Sequence, residues 1–119
     1  MNININLSDR HVSMGSAKGS REMLRLESRL TREILWVYIL SLLRKERSHA
    51  YALRKKIREK FGFLPGNVSV YVVMYNLEKR GFVRAEYERN RRVYSITAEG
   101  RRLLLGAKHS MGKKIKLLF

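Results

Sequence analysis

Arginine, lysine and tyrosine are the side chains of this sequence whose types and spacing could do chemistry. Lysine and arginine number 26 against 10 acidic residues, for a formal charge of +16. So large a positive surplus makes polyanions the expected partners, either nucleic acid or an anionic membrane. Three arginines also fall within the four residues Arg89-Asn90-Arg91-Arg92, a spacing that suits contact with phosphate groups.

Groups that catalyse reactions or bind metals are sparse and scattered. The sequence contains no cysteine, which excludes disulfides, thiolate nucleophiles and thiolate metal sites. Its three histidines, His11, His49 and His109, are far apart, and no cluster of carboxylates accompanies them. The glycines form no phosphate-binding loop. The sequence therefore predicts a protein that is not an enzyme and that uses no metal and no cofactor.

The chain of 119 residues has room for one compact domain, preceded by a flexible arm. Residues 1–19 are polar and without period, which predicts the arm, and residues 20–119 form the predicted domain. The N-terminus lacks the profile of a signal peptide, and the longest apolar run, Ile34 to Leu43, is too short to span a membrane. We expect a cytoplasmic, nucleoid-associated protein without a membrane partner.

The pattern predicts a first helix from about Arg21 to Lys45. Apolar residues recur there at steps of three and four, and the second half of the helix is apolar almost all round. A helix without a polar face is covered on several sides, and in so small a domain a second subunit is expected to provide part of the cover. The residues predicted for a dimer interface on this helix are Leu30, Ile34 and Val37.

Two shorter helices are predicted next. Ser48 resembles an N-cap for a helix over about 49–61, on which Lys55 and Lys56 face outward. The sequence GFLPG then forms a break, and Asn67 is placed to cap a helix over about 67–80 that ends at Gly81. The inward side chains of this third helix are expected to be Val70, Met74 and Leu77.

The opposite face of the third helix carries polar and tyrosine side chains that suit contact with phosphates and groove edges. They are Asn67, Ser69, Tyr71, Tyr75 and Lys79.

A β-hairpin is predicted over about 83–97, because its flanks alternate between apolar and polar residues. Its tip contains Arg89, Arg91 and Arg92. A solvated turn that protects a short edge strand would have a similar composition. We favour contact with DNA, since a basic loop beside a helix-turn-helix is placed to reach a groove.

Thr97 is placed to cap a last helix over about 98–119, which we expect to mediate dimerisation. Little of the domain remains to bury its apolar stripe, so a seam with a second subunit is the expected use. Lysines flank the stripe, and a helix lying on a membrane surface is the competing interpretation. The stripe consists of Leu104, Ala107, Met111, Ile115 and Leu118.

Three stretches resemble the PadR-type family of transcriptional regulators. The segment Ser48-His49-Ala50-Tyr51-Ala52-Leu53 is similar to the family's His-Gly-Tyr-x-Leu at the second helix, with Ala50 in place of glycine. Tyr71 stands ten residues before Gly81, as in the family's recognition helix, although Val68-Ser69-Val70-Tyr71 replaces the usual Gly-Thr-Leu-Tyr. The stretch from Arg91 to Arg101 is similar to the second wing strand and the Thr-x-x-Gly-Arg that follows it.

The resemblance implies a winged helix-turn-helix fold, mainly α with a small two-stranded β-wing and a helical dimer interface. It also implies a homodimer in which the first and last helices pack across a two-fold axis, and a repressor role at promoters. Some relatives sense small aromatic or drug-like compounds between subunits. Trp36 is the candidate for such an effector site, although a tryptophan in an apolar stretch is more often part of a core.

The sequence thus predicts a regulator that binds double-stranded DNA sequence-specifically as a homodimer. Two alternatives stay open: an architectural, chromatin-like DNA-binding protein, and a winged-helix module that binds RNA or a protein. The predicted DNA contacts are Lys55, Lys56, Asn67, Ser69, Tyr71, Tyr75, Lys79, Arg89, Arg91 and Arg92.

Overall fold

The computed structural model describes residues 19–119, in two compact units that divide between Glu33 and Ile34. Apart from Gly19, the predicted flexible arm over residues 1–19 lies outside the described residues.

The first unit contains helix α1, Arg21–Leu30. Ser20 caps its N-terminus by accepting a hydrogen bond of 3.1 Å from the N–H of Met23. The helix ends at Thr31, whose backbone is non-helical (φ −120°, ψ −81°) and whose hydroxyl donates to the carbonyl of Glu27 at 2.7 Å. The prediction of one continuous helix to Lys45 is therefore wrong, because a β-branched residue bonds back to the preceding turn and its backbone leaves the helix.

The second unit is mainly helical, with one two-stranded antiparallel sheet, as predicted. A short 3₁₀ helix over Arg32–Ile34 leads into it. The elements in chain order are α2 (Leu35–Leu43), α3 (Ala50–Phe61), α4 (Asn67–Lys79), β1 (Val83–Glu88), β2 (Arg91–Ile96) and α5 (Ala98–Leu118).

Helix α2 lies at the centre of the second unit. It contacts α3, α4, α5 and β2, which explains why its sequence, LWVYILSLL, lacks a polar face. Ile39 and Leu40 are fully buried, and Leu53, Ile57 and Met74 from the next two helices pack with them. Burial of such aliphatic side chains is the main stabilising contribution to a domain of this size.

The two predicted N-caps at α3 and α4 are each shifted by one residue. His49, not Ser48, is the N-cap of α3, and Gly66, not Asn67, is the N-cap of α4. Ser48 is buried and pairs through its backbone with Tyr94 of β2, with N–H···O distances of 2.8 and 3.0 Å. A long-range strand contact therefore takes precedence over the local capping role.

The hairpin forms as predicted, with a shorter turn. Its register pairs Val83 with Ile96 and Glu88 with Arg91, so only Arg89 and Asn90 lie outside the strands. Both turn residues have positive φ, 53° and 65°. That geometry is a type I′ turn, whose twist matches that of the strands it joins. The predicted four-residue basic tip is corrected accordingly, because two of its arginines belong to β2.

The junction between sheet and α5 is tight. The Thr97 hydroxyl caps α5 by accepting from the N–H of Gly100 at 3.1 Å, as predicted, and it donates to the carbonyl of Gly81 at 2.7 Å. Gly81 has φ +83°, a value suited to glycine after a helix. Gly100 is buried so close to β1 that a Cβ would lie 2.1 Å from the carbonyl oxygen of Phe82.

Candidate nucleic-acid interface

Helix α4 has a buried face and an exposed face, as the sequence predicts. Val70, Met74 and Leu77 are buried against the core, which fixes the rotation of the helix about its axis. The predicted contact residues consequently face solvent, and Tyr71 and Tyr75 keep 52% and 63% of their surface exposed. The described structure places all five predicted α4 contacts on the exposed side: Asn67, Ser69, Tyr71, Tyr75 and Lys79.

Sequence reasoning missed Val68 as a candidate contact. Its side chain is 75% exposed and lies one turn before Tyr71 and Val72 on the same face of α4. An exposed valine on a helix that entered the major groove could contact a thymine methyl group. Helical phase was the available signal, since Val68, Tyr71, Val72 and Tyr75 are spaced by three, one and three residues.

A groove of about 480 Å³ joins three elements of the fold: the N-terminus of α3, the outer face of α4 and the inner side of the hairpin. It brings Tyr71, Arg91 and Arg92 together among the predicted contacts. Tyrosine rings and guanidinium groups in one concave surface can pack against sugars and bind phosphates. The lining residues are His49, Ala50, Tyr51, Tyr71, Tyr87, Asn90, Arg91, Arg92 and Tyr94.

Six of the nine groove residues were not among the predicted contacts: His49, Ala50, Tyr51, Tyr87, Asn90 and Tyr94. The Nε2 atom of His49 lies 3.4 Å from Nη1 of Arg91, across 42 residues of sequence. Tyr87 faces the same side as Arg92 because the two are partners in the hairpin register. Only the strand register could have identified Tyr87 as a neighbour of Arg92. The position of His49 beside Arg91 depends on the tertiary fold and could not be predicted from local sequence.

Arg92 is engaged within the chain. Its Nη2 donates to Oε1 of Glu78 at 2.5 Å and its Nε donates to the Tyr94 hydroxyl at 3.2 Å. Hydrogen bonds to Tyr94, Tyr87 and Glu78, in that order of importance, raise the pKa of Arg92 above its ordinary value. The guanidinium therefore stays charged and oriented along the groove wall.

Two glutamates of β1 also tie the hairpin to the helical part. Arg47, in the loop before α3, forms an ion pair of 2.5 Å with Glu88 and a longer one of 3.9 Å with Glu86. Together with the backbone pairing between Ser48 and Tyr94, these contacts attach the hairpin to the loop before α3. Arg89 and Asn90 at its turn are exposed.

The predicted lysine contacts on α3 differ in environment. Lys55 is exposed, while Lys56 lies 3.5 Å from the carboxylate of Glu46. Near the end of the same helix, the neighbouring ammonium group of Lys45 lowers the pKa of Lys60. Cations are therefore crowded on this side of the helical part, as expected from the net charge.

A second groove, of about 540 Å³, lies between α2 and the first half of α5. Three residues predicted for the dimer interface line it: Val37, Leu104 and Met111. Ile34 and Ala107 are half-buried, whereas Leu30, Ile115 and Leu118 are exposed. Residues 108–119 of the last helix are exposed throughout.

Trp36 is half-buried at the edge of the core. It lines a largely apolar groove of about 530 Å³ with Phe82, Leu103, Arg80 and Asn76, together with Val73 and Leu77. This groove connects α2 to the last turns of α4.

Within residues 19–119, no group of three or more His, Asp or Glu side chains is placed to hold a metal ion. None of the helices described there is long and apolar enough to cross a membrane.

A helix pair packed on a central helix, with the second helix exposed beside a basic two-stranded wing, defines a winged-helix DNA-binding protein. The chain belongs to the PadR-like family of transcriptional regulators, whose family model matches residues 39–105, more than half of its length. This is a family of transcriptional regulators and not of enzymes.

Solved structures of bacterial regulators have the same fold. A transcriptional regulator from Clostridium thermocellum is 29% identical, with a TM-score of 0.70 over 76% of this chain and 92% of that one. A PadR-family regulator from Eggerthella lenta is 26% identical, with a TM-score of 0.66 over 93% of this chain and 96% of that one. Among curated proteins, none matches this chain.

Proposed function

We propose that the chain is a sequence-specific repressor that binds double-stranded DNA as a homodimer. The observation that carries this proposal is the pairing of an exposed, tyrosine-bearing face of α4 with a basic wing across one groove. In this arrangement α4 enters the major groove, and Asn67, Ser69 and Tyr71 contact base edges or the groove lip. Binding to promoters would place the protein on the nucleoid.

The wing supplies contacts to the adjacent minor groove or backbone. Arg89 has φ +53°, in a turn where asparagine, aspartate and glycine are the residues normally favoured. An arginine at such a position is an unfavourable choice for the turn alone, which supports a binding role for its guanidinium. Arg91, on the strand beside it, faces His49 and lines the groove.

The lysines are proposed to position the duplex without reading its sequence. Lys55, Lys56 and Lys79 lie on the two helices of the helix-turn-helix, where contacts to phosphates fix register. Each phosphate neutralised steepens the dependence of affinity on salt by about 0.9 in a double-logarithmic plot.

The homodimer is proposed from the groove between α2 and α5 and from the exposed second half of α5. Ile115 and Leu118 keep 59% and 74% of their surface exposed, which is unusual for aliphatic side chains on a stripe of helical period. A second copy that packs its own α5 against the groove lined by Val37, Leu104 and Met111 would cover the groove and the exposed second half of the helix.

The test of specific DNA binding is fluorescence anisotropy with three labelled probes across a salt series. They are a duplex from the region upstream of the chain's own coding sequence, a scrambled duplex of equal length, and a single-stranded RNA. We expect the upstream duplex to bind at least about a thousandfold more tightly than the scrambled one at physiological salt. Equal binding of both duplexes would favour an architectural protein, and preference for RNA would favour the RNA-binding module.

We also propose that the groove beside Trp36 binds an apolar small-molecule effector. Its walls include the end of α4, so an occupant would contact the DNA-facing helix directly. Trp36 is the only tryptophan of the chain, and its emission therefore reports on this groove alone. Titration with an anilinonaphthalene sulfonate dye is expected to quench that emission and change the affinity for the upstream duplex. Unchanged emission at saturating dye would contradict the proposal.

A further inference from the structure

Arg92 connects the two DNA-facing elements of the chain, the wing and α4. One of its guanidinium nitrogens bonds to Glu78, fourteen residues earlier on the last turn of α4, and another bonds to the hydroxyl of Tyr94. The guanidinium carbon also lies 5.6 Å from the ring centroids of both Tyr87 and Tyr94. Residues of both strands and of α4 therefore hold the same side chain.

The charges of Arg92 and Glu78 cancel. Glu78 is the single acidic residue of α4, and a carboxylate on a DNA-facing helix repels phosphates. Its ion pair with Arg92 offsets that repulsion, and it also removes one positive charge from those free to attract DNA. Any contribution of the pair to DNA binding consequently comes from geometry and not from net charge.

We propose that Arg92 and Glu78 form a lock that sets the angle between the wing and α4, and that DNA affinity depends on this lock. The proposal rests on the proposed function, since the angle matters only for a duplex that both elements contact at once. Arg92 is then a positioning residue, in contrast to the phosphate contact predicted from the sequence. Arg89 and Arg91, presented by the turn and strand that Arg92 fixes, make the contacts.

The lock predicts that Glu78→Gln weakens DNA binding, whereas the loss of a negative charge alone would strengthen it. Removing a negative charge near DNA should tighten binding, whereas opening the lock should weaken it. We expect Glu78→Gln to bind the upstream duplex about tenfold more weakly than the parent. The matched control is Glu59→Gln, which removes an exposed carboxylate from α3 and should leave binding unchanged or tighter.

The lock also distinguishes Arg92 from Arg91. A lysine keeps the charge of arginine and can still contact a phosphate, but it lacks the planar fork that bonds Glu78 and Tyr94 together. Arg91→Lys should therefore retain most of the affinity, while Arg92→Lys should lose about as much as Glu78→Gln. The double variant Glu78→Gln/Arg92→Gln should be no weaker than either single variant, because one lock is lost in each.

The test combines anisotropy on the upstream duplex with amide hydrogen exchange of the DNA-free protein. The expected result is faster exchange over residues 83–96 in Glu78→Gln and Arg92→Lys, with weaker DNA binding in both. Glu59→Gln should show unchanged exchange and unchanged or tighter binding. Tighter binding or unchanged exchange in Glu78→Gln would overturn the lock. If the parent protein does not prefer the upstream duplex, the proposed function fails, and the exchange data decide independently whether the lock exists.

Discussion

Two surfaces of the second unit that carry exposed apolar side chains differ in their surroundings: the face formed by α3, α4 and the wing, and the second half of α5. On the first face, Tyr71 and Tyr87 lie beside guanidinium groups in a groove whose walls are anchored in the core. On α5, Ile115 and Leu118 are exposed on a stretch in which every residue from 108 to 119 is exposed. The first region is complete within one chain and presents a surface to a ligand.

In the second region, no described residue of the chain covers the apolar side chains. A stretch as short as this exposed half of α5 is marginal as an isolated helix in water, so packing is expected to supply part of its stability. This difference supports the proposal that the winged helix is a preformed binding surface and that the last helix packs against a second copy. The following variants test that difference.

The largest effect is expected on the dimer, from Ile115→Asp. An isoleucine buried at the interface contributes about 1.5–3 kcal/mol, and a two-fold axis counts it twice, so the dissociation constant should rise by roughly two to four decades. Analytical ultracentrifugation measures this change. His109→Asp, on the opposite side of α5, is the matched control, and equal loss of dimer in both variants would contradict the assigned interface.

Two glycines in the first half of α5 should respond to alanine with opposite signs, because only one of them is packed against a neighbouring element. In Gly100→Ala the new Cβ meets the Phe82 carbonyl oxygen at 2.1 Å and Ile96 Cγ1 at 2.8 Å, so we expect a loss of about 1–3 kcal/mol. In Gly106→Ala the Cβ meets no described atom within 4 Å, and higher helix propensity should stabilise by about 0.5–1 kcal/mol. Urea denaturation measures both changes in unfolding free energy. Destabilisation by Gly106→Ala would contradict the open space around Gly106.

Cations in the two regions should differ in their effect on DNA binding. Arg91→Gln should weaken binding about tenfold and reduce the salt slope by about 0.9, because one phosphate contact is lost. Lys113→Gln removes the same charge from α5 and should leave the slope unchanged. Anisotropy titrations between low and physiological salt measure both slopes, and identical changes in the two variants would mean that the whole surface binds DNA non-specifically.

The smallest expected effect concerns the turn of the wing. Arg89→Gly relieves a positive φ and should stabilise the protein by about 1 kcal/mol, while the loss of its guanidinium weakens DNA binding. Thermal denaturation and anisotropy of the same variant would show opposite changes. Stabilisation without any loss of affinity would remove Arg89 from the proposed contacts.

Elements whose determinants are local could be predicted from the sequence. The helices over 49–61 and 67–80, the hairpin and the cap at Thr97 depend on neighbouring residues and on helical or strand period, and the structure confirms them. The break at Thr31 was missed because apolar residues keep helical spacing on both sides of it.

Features that depend on distant residues were beyond the sequence pattern. Ser48 has the type of an N-cap, yet its backbone pairs with Tyr94, which lies 46 positions further on. Arg92 has the type of a phosphate contact, yet the fold places Glu78 against it. In both cases the residue type indicated which interactions the residue could make. A partner distant in sequence determined which interaction it makes in the fold.

Hydroxyl-radical footprinting on the upstream duplex can show whether two copies of the chain bind one duplex through α4 and the wing, as we propose. We expect two protected patches related by two-fold symmetry, with centres separated by about 10–10.5 base pairs or a multiple of that spacing. Uniform protection along the duplex, or a single patch without a symmetric partner, would contradict the proposal.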